Sequence, residues 1–107
     1  MPECDGTALA SDGSLGADHP RSYGASAKFI RLLLDNNIPV GECVYRSSGL
    51  AASRFDLAGR GKITPGAYAD ITVFDPDTID GNASFSDPFA PASGIKLVIK
   101  SGRLLNL

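Results

Sequence analysis

The chain has 107 residues, enough for one small domain with one modest core. Ten basic and twelve acidic residues leave a net charge of -2, and no basic stripe stands out, which argues against nucleic-acid binding. No apolar run is long enough to span a bilayer, and the opening Met1-Pro-Glu-Cys-Asp5 lacks the charged-then-apolar pattern of a signal peptide. A cytoplasmic chain without membrane partners is therefore expected. Cys4 and Cys43 lie far apart in no metal-spaced motif, and reduced thiols are the simplest reading. With one histidine, the sequence cannot build a His-rich metal site by itself.

In chain order, Thr7–Ala10 is short and apolar, bounded by Asp5-Gly6 and Asp12-Gly13, and reads as a buried strand. A loop rich in Gly, Ser, Asp and Pro follows, from Ser11 to about Tyr23. A helix is predicted from near Ser26, with Phe29, Ile30, Leu33 and Leu34 on one stripe and Asn36-Asn37 as its stop. Pro39 is placed to open a second short helix carrying Val40, Cys43 and Val44, ending near Ser47-Ser48-Gly49. A third helical turn is expected over Leu50–Phe55, with Leu57 tucked beneath it.

From Gly59 the character changes. Gly59, Gly61, Pro65 and Gly66 punctuate a turn region, and Ala69–Phe74 has the β-branched and aromatic content of a strand. Asp75–Gly81 reads as a turn and Asn82–Ser93 as an ordered loop. Lys96–Lys100 is a second strand, Ser101-Gly102 a two-residue hairpin turn, and Arg103–Leu107 its partner. The predicted class is α/β with a β tail, divided into residues 1–58 and 59–107.

Asp12 is the first candidate for chemistry. It follows an apolar strand and precedes a glycine, the place where α/β barrels gather catalytic groups. A carboxylate there can bind a divalent metal and accept a proton. The same Ser-Asp-Gly also suits an ordinary turn, and Arg21 by itself suits a solvated loop arginine.

Two motifs shift that balance. Ala10-Ser-Asp-Gly13 followed by His19-Pro-Arg-Ser-Tyr-Gly24 resembles the signature of N-acyl-D-amino-acid deacylases (D-aminoacylases), a branch of the metal-dependent amidohydrolase superfamily. Gly61-Lys-Ile-Thr-Pro-Gly66 with Ala69-Asp-Ile-Thr-Val-Phe-Asp75 resembles the pattern where such chains leave the barrel for a small β-sandwich. Ser53-Arg54-Phe55 and the Asn82–Ser93 stretch, with Phe85 and Asp87-Pro88, are similar to later segments of that branch.

The resemblance covers Ala8 to Leu105 and implies a fold: the last strand and helices of a (β/α)8 barrel in residues 1–58, then part of the β-sandwich in 59–107. It implies roles as well. Asp12 would be general base and zinc ligand, and Arg21 would bind the substrate carboxylate, a task its two-pronged guanidinium suits. His19 is assigned to shaping the loop or to an outer position around the metal, Tyr23 to packing the loop, and Gly24 to a sharp turn into the helix. Asp70 and Asp75 are assigned to structure, Asp70 bonding backbone N–H groups within its own turn.

The other metal ligands of that family, a His-x-His pair, a bridging residue and two further histidines, cannot be placed in these residues. The expectation is a C-terminal fragment of a zinc-dependent enzyme hydrolysing N-acyl-D-amino acids, inactive alone and binding no zinc alone. Its unpartnered strand edges would favour self-association. A non-catalytic structural or interaction module, or a fragment of a dihydroorotase-like cyclic amidase, are the alternatives.

Overall fold

The computed structural model describes Leu9 and residues 21–105, with only the backbone described for residues 21–23. The elements run α1 (Arg21–Asp35), α2 (Val40–Val44), a π-helical turn (Tyr45–Gly49), α3 (Leu50–Arg54), then β1 (Ile71–Phe74), β2 (Ile95–Lys100) and β3 (Arg103–Leu104). The proposed strand over Thr7–Ala10 lies outside the described residues except for Leu9. That side chain packs on the helical core.

α1 begins at Arg21, not near Ser26, so Gly24 is a helical residue and not a turn into the helix. Glycine inside a helix costs about 1 kcal/mol relative to alanine. Here the loss is tied to a contact with Gly81, described below. The expected stripe buries as the 3.6-residue period requires, with Phe29, Leu33 and Cys43 forming the centre and Ile30, Leu34 and Ile38 around it.

The helix ends where the asparagines predicted. Asn37 takes a left-handed φ of 62°, its N–H donates to the Leu34 carbonyl at 3.0 Å, and the Ile38 N–H donates to the Leu33 carbonyl at 3.1 Å. This paired arrangement satisfies two of the last carbonyls of the helix and turns Ile38 back onto the core.

Pro39 stands just before α2, with extended backbone. The helix it introduces does not end at Ser47–Gly49. The path continues through the π turn, where the Leu50 N–H donates to the Tyr45 carbonyl, and on into α3. Ser47 Oγ donates to the Cys43 carbonyl at 2.7 Å and Ser48 Oγ to the Val44 carbonyl at 3.1 Å. Those hydroxyls occupy carbonyls that the wider turn would otherwise leave poorly paired. Leu57 is not tucked under α3: it is 49% exposed, because the chain reverses at Asp56, a left-handed residue (φ 53°).

The sheet has the order β1-β2-β3, antiparallel throughout, with Ile71 opposite Ile99 and Lys100 opposite Arg103. A bulge between Val73 and Phe74 shifts the register so that Phe74 faces Ile95. Ser101 and Gly102 both take positive φ, 52° and 77°, as a tight hairpin of matching twist demands. The last strand is shorter than expected, covering Arg103–Leu104.

Between β1 and β2 the chain forms a hydrogen-bonded plug. The Ile79 N–H donates to the Asp75 carbonyl at 2.9 Å, the Asp77 N–H to Asp75 Oδ1 at 2.9 Å, and Asp80 and Ser93 exchange backbone bonds. Ile79 is 1% exposed at its centre. Asn82–Ser93 is an ordered loop, as expected, closed by the Asn82 side-chain N–H on the Pro91 carbonyl at 3.0 Å. No described helix is long and apolar enough to cross a membrane.

Candidate functional site

Of the proposed site residues, Asp12 and His19 lie outside the described residues. Arg21 is the first residue of α1. Its expected loop setting is thereby corrected: it stands at the N-terminal end of α1, where the aligned peptide dipoles favour a negative ligand.

What places that N-terminus is the β1–β2 plug. A Cβ added to Gly24 would lie 3.2 Å from the Gly81 Cα. Lys28 Nζ meets Asp80 Oδ1 at 2.9 Å, and Arg31 Nη1 donates to the Pro76 carbonyl at 3.0 Å. Arg31 also pairs with Asp35 one turn on, at 3.0 Å.

A second join links the helices to the chain entering the sheet. Gly49 of the π turn and Gly61 approach so closely that a Cβ on Gly61 would lie 2.6 Å from the Ala52 Cβ. Gly61 also has a φ of 78°, so both space and conformation call for glycine there. Between these joins lies an open cleft of about 1040 Å³. Ala27, Ile30 and Val44 line it from the helices, and Thr72, Phe74 and Val98 from the sheet. Its lining is mostly apolar, with Asp70 and Arg60 at one side.

Asp70 is structural, as expected, but its partners are not those of its own turn. Its Oδ1 accepts the Ser101 N–H at 2.8 Å, 31 positions along the chain. Its Oδ2 meets Arg60 Nη1 at 2.7 Å and Lys100 Nζ at 3.1 Å. The Ser101 N–H, followed by Lys100, holds the carboxyl below its ordinary value. Arg60 in turn lies 4.2 Å from the centre of the Tyr68 ring, a cation–π distance. The cluster therefore staples the glycine-rich segment to the β2–β3 hairpin.

Two buried groups lie in the helices. Cys43 is a free thiol whose burial pushes its ionisation up. Such a thiol behaves as a small apolar side chain and not as a nucleophile. Arg46 is 3% exposed, with its Nε donating to Glu42 Oε1 at 2.8 Å. Sequence reasoning passed over this pair, although Glu and Arg four positions apart on a helix are a readable signal.

Among the described residues, no group of three or more His, Cys, Asp or Glu side chains could hold a metal ion. The described residues thus do not make a metal centre.

No protein-family model matches the chain. It is 37% identical over 100 residues to a D-aminoacylase of Alcaligenes xylosoxydans xylosoxydans, covering 90% of this chain and 21% of that protein. Its backbone superposes on a crystal structure of D-aminoacylase, described as defining a novel subset of amidohydrolases, with a TM-score of 0.84 and 36% identity. That match covers 92% of this chain and 22% of the other. It also superposes on N-acyl-D-glutamate deacylase from Bordetella bronchiseptica, solved with zinc and a phosphonate mimic of the tetrahedral intermediate. There the TM-score is 0.76 at 34% identity, over 80% of this chain and 19% of that one. The chain spans about one fifth of the length of these relatives. In sequence and in backbone it is a homologue of the D-aminoacylases and N-acyl-D-amino-acid deacylases of the amidohydrolase family.

Proposed function

We propose that these residues are the C-terminal part of an N-acyl-D-amino-acid deacylase, contributing the closing strand of its barrel and part of its β-sandwich, with the division near residues 58 and 59. The observation that carries this reading is the D-aminoacylase superposition, a TM-score of 0.84 at 36% identity over 92% of the chain. In the reaction, an acyl–nitrogen bond is hydrolysed. Arg21 pairs with the α-carboxylate of the substrate, and the helix N-terminus on which it stands favours the same negative charge. Asp12 takes and returns the proton of the hydrolysis and contributes one carboxylate to a metal centre, beside ligands that these residues do not supply.

Alone, the chain does not turn over substrate, because one histidine and the one carboxylate assigned by resemblance are too few for a tight zinc site. It works in the cytoplasm, where Cys4 and Cys43 stay reduced. It also self-associates. Val73 and Leu104 are exposed apolar residues of the sheet, and β1 and β3 are its edge strands among the described residues, the kind of edge that pairs with another strand.

The decisive experiment is a chimaera: a D-aminoacylase whose homologous stretch is replaced by this chain. Arg21→Met is expected to raise KM for an N-acetyl-D-amino acid by about 10- to 100-fold, the value of a charge-assisted pair. Asp12→Asn is expected to abolish turnover. An unchanged KM in the first variant, or full activity in the second, overturns the assigned roles. For the chain by itself, tight stoichiometric zinc binding by calorimetry contradicts the claim of dependence on other ligands. A clean monomer at high concentration by light scattering contradicts self-association.

A further inference from the structure

α1 and the plug between β1 and β2 meet at residues 24, 28 and 31 of the helix. Those positions are spaced i, i+4 and i+7, a single stripe of an α-helix. Residue 21 falls on the same stripe, one turn earlier. Lys28 and Arg31 make their contacts through long side chains ending on Asp80 and on the Pro76 carbonyl. The contact nearest residue 21 is of another kind, backbone against backbone. A Cβ on Gly81 would overlap the Gly24 carbonyl oxygen, and would lie 3.0 Å from the Lys28 Cβ.

Neither Gly24 nor Gly81 has a positive φ, so conformation does not call for glycine at either site. Space alone does. Gly81 is also buried, and it follows directly on Asp80, which is bonded in both directions to Ser93. The plug thus meets the first turn of α1 at Gly24, backbone against backbone. A flexible side chain there would let the helix end move; a backbone contact does not.

We propose that Gly24 and Gly81 are positioning residues for Arg21. Their contact sets how far the first turn of α1 stands from the plug, and hence where the backbone of residue 21 stands. This rests on the reading of Arg21 given above, and the test separates the two.

The test uses the whole chain, labelled with nitrogen-15, as Gly81→Ala, Gly24→Ala and Gly41→Ala. Gly41 is the control, since a Cβ there meets nothing within 4 Å. Amide exchange is followed at residues 25–28, whose helical bonds close the first turn. Gly81→Ala is expected to speed exchange there about tenfold while leaving Leu33 and the β1–β2 pair within about twofold, as a local opening does. Gly24→Ala adds a helix-favouring residue against a 3.2 Å contact, so it keeps its helix content while the amide resonances of residues 21–24 and 81–83 shift. It carries the test should Gly81→Ala fail to fold.

The second arm places the same three substitutions in the chimaera described above and measures KM for an N-acetyl-D-amino acid. Gly41→Ala is expected to leave KM unchanged, and Gly81→Ala and Gly24→Ala to raise it about tenfold, the loss expected for a displaced charge-assisted pair. Unchanged exchange and unchanged resonances in both variants, or an unchanged KM in both, overturn the positioning role while Arg21 keeps its own. A KM unchanged by Arg21→Met overturns the carboxylate-binding reading, and the exchange arm then decides alone whether the contact holds the first turn.

Discussion

The helical layer and the sheet are held in different ways. The helices close around Phe29, Leu33 and Cys43, with Leu33 and Cys43 fully buried. No residue of β1, β2 or β3 is fully buried. Apolar burial stabilises the first layer, while backbone ladders, tight glycine contacts and the charges around Asp70 hold the second. The difference shows which layer carries its own core and which leans on neighbours, and it can be pressed by substitution.

The largest effect is expected at Leu33. Leu33→Ala removes a fully buried side chain and should cost about 2–5 kcal/mol in urea denaturation. If hydrogen exchange in β1 and β2 accelerates as much as in α1, the two layers unfold as one unit and the contrast between them is only one of composition.

Next is Gly94, where the sheet grips the plug. Its φ is 79°, and a Cβ there would lie 2.5 Å from the Ile79 nitrogen. Gly94→Ala should cost about 1–3 kcal/mol from the backbone conformation alone. The loss should appear first as broken pairing between Asp80 and Ser93, read by amide exchange. A variant as stable as wild type would show that the plug is less rigid than its bonds imply.

Asp70 gives a smaller, pH-dependent effect. Its carboxyl is held below its ordinary value of 3.8 by the Ser101 N–H and by Lys100. A lowered folded-state value means that the unfolded chain binds the proton more readily. The contribution is therefore present above that ordinary value and is lost as pH falls below it and through the lowered folded-state value. Melting temperatures from about pH 7 to about pH 3 should fall more steeply in wild type than in Asp70→Asn. Parallel curves would remove Asp70 as the staple of the sheet.

The smallest effect is expected at Lys28. Its pair with Asp80 is largely exposed, so Lys28→Met should cost no more than about 1 kcal/mol, and less at high salt. A larger cost would mean that the join between helix and plug depends on charge and not on the two glycines.

Much of the architecture was legible in the order of residues. The stripe from Phe29 to Leu34, the asparagine stop, the strand expected over Ala69–Phe74 and found over Ile71–Phe74, and the Ser101-Gly102 hairpin all follow from periodicities and turn chemistry that act within a few positions. The likeness to D-aminoacylases was legible as well, because the motifs that carry it are contiguous. Arg21 was expected in a loop and stands in α1. A loop of polar residues and a first helical turn look alike until something docks on the helix.

What tertiary structure decided depends on residues far apart. Asp70 looks like a turn residue until its partner proves to be Ser101, across the hairpin. Gly24 looks like a turn into the helix until Gly81 is found against it. Ser47-Ser48-Gly49 looks like a stop, yet the hydroxyls and the close approach of Gly61 carry the helix through a π turn. The sequence by itself determined the kind of each element and the family resemblance, since propensity, period and motif are local. The start of α1, the partners of Asp70 and the closeness of the layers were decided only in three dimensions, because space and charge are shared between segments that no local pattern connects.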